Sequence, residues 1–494
     1  MSATEIKKRL SNKSASYYFH SLVVILFMSC FKYVPPFCAG ITEIGMQSLG
    51  IFIGVLWGWT FVSMIWPGLL GMVAIGFTRI MTVKQSLLSG FGADLTMVTL
   101  FVFIFAAYMD ESGLNSYIAK WFISRKIVIG KPWIFCFMLM TSSMIMSATT
   151  FIFATIVIVW SIFYSIADEL GLKKREKFVT YILLGVSVGA TMGSFLFPFN
   201  PMSVIVLGLL EKSTGIAINL AKYSVFNAVI GLLIIGLYCL IGKYIFRPDV
   251  KSLSTREDRF AHFRQERMNR EQKYAAVVVI VFLIMLLLPG IFPTTWPIIS
   301  QLQTLGVSGS TIIVLVALMI LRKKGSDGEK GYIDFSQLAK RGMNWEVIVL
   351  LAAITPISSV LESEESGILN VAKSFLAGVI SDMSPFVTIA FIALALAILT
   401  QFAHNAVLLT IFIPMLCPLV ISFGIDPVLL AMTLLYVGSA AFATPGASTN
   451  VALVFANTEW TDRKDVYKYG LAASILITLV SIGLVLPLSS IFFS

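Results

Sequence analysis

Charge is scarce in this chain. Asp, Glu, Lys and Arg make up 13% of its 494 residues, about half the share found in soluble domains, so no solvated shell can enclose it. Histidine is scarcer still, with only His20, His262 and His404. The five cysteines (Cys30, Cys38, Cys136, Cys239, Cys417) lie in or beside apolar segments without paired spacing. That pattern excludes a disulfide framework and a thiolate metal site. What fills the chain instead is apolar: 57% hydrophobic residues and a mean hydropathy of +0.89. The fold class that follows is an all-α polytopic membrane protein.

The net charge of +10 does not point to nucleic acid. Its basic residues form short clusters between apolar runs, as cytoplasmic loops do. The first sixteen residues carry Lys7, Lys8, Arg9 and Lys13, and the apolar run 17–34 ends at Pro35 and Pro36 without a small-residue cleavage site. It reads as a retained first span with a cytoplasmic N-terminus, and the compact loops fit a plasma membrane.

Landmarks recur in order. Glu111-Ser112-Gly113 returns as Glu365-Ser366-Gly367, with the glycines 254 residues apart. Thr149 in one polar interruption and Asn405 in another are 256 apart, and Asn200 and Asn450 are 250 apart. Such a repeat predicts a duplicated transporter with its site between the halves.

Placing each Lys/Arg cluster inside sets the topology. Spans near 17–37, 45–62, 63–81 and 94–110 return the chain to the cytoplasm at Lys120, Arg125, Lys126 and Lys131. The next cluster, Lys173, Lys174, Arg175 and Lys177, is also inside, so the apolar stretch 132–170 crosses twice or not at all. Interrupted at Ser147, Ala148, Thr149 and Thr150, it reads as a re-entrant hairpin opening to the cytoplasm. A helix near 178–212 is broken at 193–201. A span at 222–244 then leads to a linker, 247–273, of mixed charge, which reads as a solvated cytoplasmic helix.

The second half repeats this plan. Spans near 274–290, 308–321 and 345–361 precede an outward-opening hairpin near 385–422, interrupted at Ala403, His404 and Asn405. A helix near 427–458 is broken at 444–450. An odd number of crossings per half makes the repeats, 1–246 and 274–494, inverted. The sum is about 11 transmembrane helices, two re-entrant hairpins and two broken helices.

None of the four breaks contains Asp, Glu, Lys or Arg. A cationic solute would need a carboxylate there. An anion fits better, because helix N-termini present free N–H groups and a positive dipole end. Ser147, Thr149, Thr150, Asn200, Asn405, Ser448, Thr449 and Asn450 add directional donors, with helix capping as the alternative role for each. Asp110 and Glu111, mirrored by Glu364 and Glu365, read as helix-end residues rather than a proton relay. Trp66-Pro67-Gly68 reads as punctuation between spans.

In this order of landmarks the chain resembles the divalent anion to sodium symporter family of the ion transporter superfamily, which carries dicarboxylates, citrate or sulfate. That family has Ser-Asn-Thr at both hairpin tips and Thr-Pro-Pro-Asn in both broken helices. Here the first tip reads Ser147-Ala148-Thr149 and the second His404-Asn405-Ala406. The first broken helix keeps Ser187, Gly189, Pro198 and Asn200, and the second keeps Asn450 but has Ser448 and Thr449 at the proline pair. The resemblance implies alternating access by an elevator-like movement, a homodimer, and a cation site or its substitute at Ser147, Ala148, Gly189, Gly193, His404, Ala406 and Thr444.

By the resemblance, these departures touch the positions with which the family holds sodium and the substrate carboxylates. Ala148 in place of Asn removes one oxygen ligand, and His404 is the only histidine at midplane depth. An ionisable group there is a functional candidate: protonated, it stands in for the cation as a fixed charge or carries a coupled proton. Its alternative is a neutral imidazole that only shapes the tip. The expectation is therefore a secondary transporter of a small di- or tricarboxylate, by sodium-independent exchange or proton-linked uptake, with sodium symport as the alternative. No other cofactor is expected. A membrane-embedded enzyme lacks a metal pattern or nucleophile-base pair in the spans. A channel does not need duplicated broken helices.

Overall fold

A computed structural model describes residues 3–250, 267–325, 328–371, 374, 378, 383–445 and 448–493. Most of the expected linker, 251–266, lies outside them.

The first half begins with α1 (Ala3–Cys30), α2 (Glu43–Phe61), α3 (Ile65–Ile75), α4 (Val83–Phe91), α5 (Asp94–Ser112) and α6 (Leu114–Ile123). Two helices joined by a tight turn follow, α7 (Pro132–Ser147) and α8 (Ile152–Glu169). Next come α9 (Lys177–Gly193) and α10 (Pro201–Thr214), separated by the expected break, and α11 (Leu220–Ile241).

The second half runs α12 (Arg270–Leu287), α13 (Pro297–Ile320), α14 (Phe335–Gly342) and α15 (Trp345–Glu362). The helix pair α16 (Pro385–Leu399) and α17 (Asn405–Ile421) follows, then the broken pair α18 (Pro427–Gly438) and α19 (Thr449–Ala456), then α20 (Arg463–Val480) and α21 (Leu486–Phe492). One short antiparallel pair, β1 (Arg322–Gly325) and β2 (Gly328–Gly331), interrupts the helical chain at the expected basic turn.

Among the described residues, nine helices are long and apolar enough to cross a membrane. The span expected near 63–81 is not one of them. α3 has 11 residues, about 16 Å of helix against a hydrocarbon core of about 30 Å. The chain turns at 76–82, where Arg79 takes φ 69°, and continues as α4, capped by a Thr82–Gln85 box. The span expected at 308–321 starts earlier, at Pro297, and bends at Gly306 with φ 57°.

The duplicated Glu-Ser-Gly motif is the same turn twice. Gly113 and Gly367 both take left-handed φ, 70° and 68°, which favours glycine. Ser112 Oγ donates to the Met109 carbonyl at 2.7 Å and accepts from Leu114 N at 3.2 Å. Ser366 Oγ donates to the Ser363 carbonyl at 2.8 Å and accepts from Ile368 N at 3.3 Å.

Each turn is gripped by a helix start from the other half. Thr42, which caps α2, donates through Oγ1 to the Glu365 carbonyl at 2.5 Å and through its N–H to the Ser366 carbonyl at 3.3 Å. Gln272, in the capping box of α12, donates through Nε2 to the Gly113 carbonyl at 3.2 Å.

The helix pairs pack on their own broken helices: α7 and α8 on α9, α16 and α17 on α18. α10 crosses to α17 and α18, and α9 to α20, so the halves interlock around the breaks.

Candidate functional site

Four helices begin at the centre of this interlock: α8 after the first tip, α10 after the first break, α17 after the second tip and α19 after the second break. Some outer helix starts are capped by side chains, as Asn219 caps α11, Ser384 caps α16 and Asp426 caps α18, and others, those of α7, α9 and α13 among them, are not. At the centre, the N-cap residues of α8, α10 and α17 are Phe151, Asn200 and His404, and none makes a side-chain cap bond. First-turn N–H groups at these three starts are thus left for another acceptor, apart from Ala406 N, which Asn405 Oδ1 accepts, and Pro201, which has none.

A cavity of about 380 Å³ lies where these ends meet, within the range of about 300–1,000 Å³ for small-molecule sites. Its wall takes Ser147, Thr149 and Thr150 from the first tip, Asn200 from the first break, His404, Asn405 and Ala406 from the second tip, and Asn450 from α19. Residues hundreds of positions apart in sequence therefore share one space.

Three polar atoms of wall residues have no protein partner: Ser147 Oγ, Ser439 Oγ and His404 Nδ1. A buried polar atom costs about 1–3 kcal/mol when unpaired. The cost is relieved when an occupant supplies the partner. Thr149 and Thr150 turn their hydroxyls to the Met146 carbonyl, at 3.2 and 3.1 Å. Asn405 Oδ1 accepts from Ala406 N at 2.9 Å, so its amide NH₂ is the group turned to other partners.

Asn200 divides its roles. Its Nδ2 donates to the carbonyls of Ala148 and Gly193, both at 3.2 Å, so it ties the first tip to the first break. The second half has a seam of its own between its tip and its break. Gln401, beside the second tip, donates to the Ala440 carbonyl at 2.9 Å and accepts from Ala443 N at 3.0 Å. Thr444 Oγ1 donates to the Gln401 carbonyl.

Several sequence candidates with described side chains lie off the wall. Ala148 is fully buried behind the tip. Gly189 and Gly193 are close-approach positions on α9: an added Cβ would lie 2.3 Å from the Met140 carbonyl oxygen and 2.0 Å from that of Met144. Ser448 caps α19, accepting from Val451 N at 3.4 Å. Thr449 is the first residue of α19, and only its backbone is described. Thr444 belongs to the Gln401 seam, and residues 446–447 lie outside the described set.

The wall also holds residues that the sequence reading missed. Thr191 and Ser194 come from the end of α9, Ser439 from the end of α18, and Asn344 and Glu346 from the start of α15. Ser439 follows Gly438 at a helix end, a small-residue signal like that of the other breaks. Glu346 is exposed and sits in the first turn of α15, where a carboxylate complements the helix dipole. No Lys or Arg lines the cavity among the described residues.

Comparison with known proteins agrees with this architecture. Over 423 residues the chain is 24% identical to the sodium-dependent dicarboxylate transporter SdcS of Staphylococcus saprophyticus, covering 81% of this chain and 78% of that protein. The fold is similar to the crystal structure of the YdaH transporter of Alcanivorax borkumensis, with a TM-score of 0.56 at 14% identity, over 83% of this chain and 88% of that one. The family model for citrate transporters (CitMHS) matches residues 52–435. With that match spanning both helix pairs and the first break, the chain belongs to the citrate transporter family, and it is a multi-pass membrane transporter.

Proposed function

We propose that this transporter moves small di- or tricarboxylate anions by alternating access, through sodium-independent exchange or with a coupled proton. One observation carries the reading. Three helix starts without a side-chain cap and three residues with unpartnered polar atoms surround a single cavity whose described lining holds no Lys or Arg and one carboxylate, Glu346, at its exposed side. Helix N-termini and neutral donors can hold a carboxylate without a fixed countercharge.

The coupling proposal rests on the seams. A sodium ion takes about five or six oxygens, many of them backbone carbonyls. The Ala148 and Gly193 carbonyls already receive the Asn200 amide, and the Ala440 and Gln401 carbonyls receive Gln401 and Thr444. Protein donors thus stand where a cation would draw these oxygens together. His404, on the cavity wall with an unpartnered Nδ1, supplies charge or carries the proton. Sodium symport is the second reading, favoured by the sodium-dependent relative.

The same reading takes 1–246 and 274–494 as inverted repeats around the linker 247–273, with α7–α8 and α16–α17 as re-entrant hairpins. The N-terminus is cytoplasmic, the membrane is the plasma membrane, and the scaffold forms the homodimer that the family resemblance implies. The reciprocal grip of the two Glu-Ser-Gly turns supports the inversion.

Uptake of radiolabelled citrate and succinate into proteoliposomes, with and without internal anion, in sodium and in sodium-free choline buffer, tests the proposal. Uptake that persists without sodium is expected. Uptake strictly dependent on sodium restores the symport reading, and transport of neither anion removes the substrate class.

A further inference from the structure

A line of polar groups runs through the apolar interior between the two broken helices, and the cavity does not use it. Tyr436 of α18 donates its hydroxyl to Asn227 Oδ1 at 2.6 Å. Asn227 of α11 donates through Nδ2 to the Tyr223 carbonyl at 2.9 Å. Tyr223 donates its hydroxyl to Ser203 Oγ of α10 at 2.9 Å. Ser203, Tyr223, Asn227 and Tyr436 are all fully buried.

Apolar side chains of similar size would fill this space without desolvating any polar group. What the network adds is geometric definition, because hydrogen bonds in an apolar interior are strong and directional.

Its two ends sit at the two breaks. Ser203 lies in the first turn of α10, just after Asn200, at the helix start that faces the cavity. Tyr436 lies in the last turn of α18, just before Ser439 with its unpartnered hydroxyl on the cavity wall. The Tyr436 ring also packs edge-on against Phe195, inside the first break, with centroids 4.9 Å apart and planes at 74°. A residue of the second half thus touches the first break directly and, through Asn227 and Tyr223, holds the helix that follows it.

We propose that Tyr436 and Asn227 are positioning residues, which fix the separation of the two breaks so that the α10 start and Ser439 converge on one solute. The inference rests on the cavity being the solute site. Neither residue touches the solute; each acts through the helix end it holds.

The test is uptake kinetics of radiolabelled citrate and succinate in proteoliposomes for Tyr436→Phe and Ser203→Ala, with Asn405→Ala as the variant that probes the cavity itself. Loss of one buried hydrogen bond is expected to raise KM about tenfold, with Vmax within about twofold of wild type. A merely structural role would lower the melting temperature and leave KM alone. A wild-type KM in Tyr436→Phe overturns the proposal, whatever its melting temperature. Should that variant fail to fold, a wild-type KM in Ser203→Ala does the same. Asn405→Ala with unchanged KM strikes the cavity reading instead, so the two failures are separable.

Discussion

The side-chain amide of Asn450 donates to the hydroxyl of Thr191 at 3.3 Å, joining the second break to the helix that leads into the first. Thr191 Oγ1 itself donates to the Ser187 carbonyl at 2.9 Å, so it can only accept from Asn450. Both residues line the cavity. Asn450→Ala is expected to abolish citrate or succinate binding in a folded protein, whereas Thr191→Val, which removes the bond to Asn450 together with the intrahelical one to Ser187, should weaken affinity a few-fold. Ligand-induced shifts in melting temperature measure both. Wild-type affinity in Asn450→Ala takes that residue out of the site.

Asn200 and Gln401 are the two halves' answers to one problem, and they invite matched substitutions. Asn200→Asp and Gln401→Glu keep shape but replace an amide donor by an acceptor facing buried carbonyls. Each carbonyl left unpaired costs about 1–3 kcal/mol. Both variants are expected to lose thermal stability and uptake together, whereas Asn405→Ala loses uptake alone. Stability equal to wild type in Asn200→Asp would show that the seam does not hold the tip.

That exchange of roles explains what was legible in the sequence and what was not. Periodicity and Lys/Arg placement located the helix pairs and the breaks, because the cost of unpaired backbone in an apolar medium restricts where helices can stop. The tips and Asn200, Asn405 and Asn450 were visible as polar interruptions in apolar runs. Gln401 was not, since it stands one turn outside the motif and its partners are backbone groups 39 and 42 positions away. Thr191, Ser439 and Glu346 were hidden for a similar reason: they reach the cavity through packing between halves, which no local pattern encodes. Gly189 and Gly193 were read toward a cation site by resemblance, and the structure places them against the backbone of α7. α3 was too long in the sequence reading because its apolar run continues past Ile75 into a turn.

The close approach of α9 to α7 gives a prediction independent of transport chemistry. A Cβ on Gly193 would meet the Met144 carbonyl oxygen at 2.0 Å and on Gly189 the Met140 carbonyl oxygen at 2.3 Å. These neighbours are backbone, so relief requires moving one helix. Overpacking of this kind costs about 1–3 kcal/mol or more. Gly193→Ala is expected to lower the melting temperature in detergent and to reduce expression of folded protein. An unchanged melting temperature would mean that α7 can shift without penalty, and the tip that follows it would then be less rigid than the structure implies.

The proton prediction concerns His404, whose two possible roles share one sign. A protonated imidazole on the cavity wall attracts a dianion, and losing that proton as pH rises removes the attraction, so the contribution of His404 falls with increasing pH. The anion's own ionisation works in the opposite direction, but it is the same for every variant. The ratio of wild-type to His404→Gln uptake, measured from about pH 5 to 8, therefore isolates the side chain. Glutamine keeps a hydrogen-bonding group at the tip and cannot take up a proton in this range. The ratio is expected to be largest at the acid end and to approach one at the alkaline end. The two roles then separate by membrane potential. In exchange of one dianion for another, a fixed charge leaves the cycle electroneutral, whereas a proton carried with a dianion leaves one negative charge to move per cycle. Uptake without internal anion that responds to an imposed potential supports the carrier role, and uptake that requires internal anion and ignores the potential supports the fixed charge. A ratio that stays constant across the whole range would remove both roles and leave His404 as a neutral part of the tip.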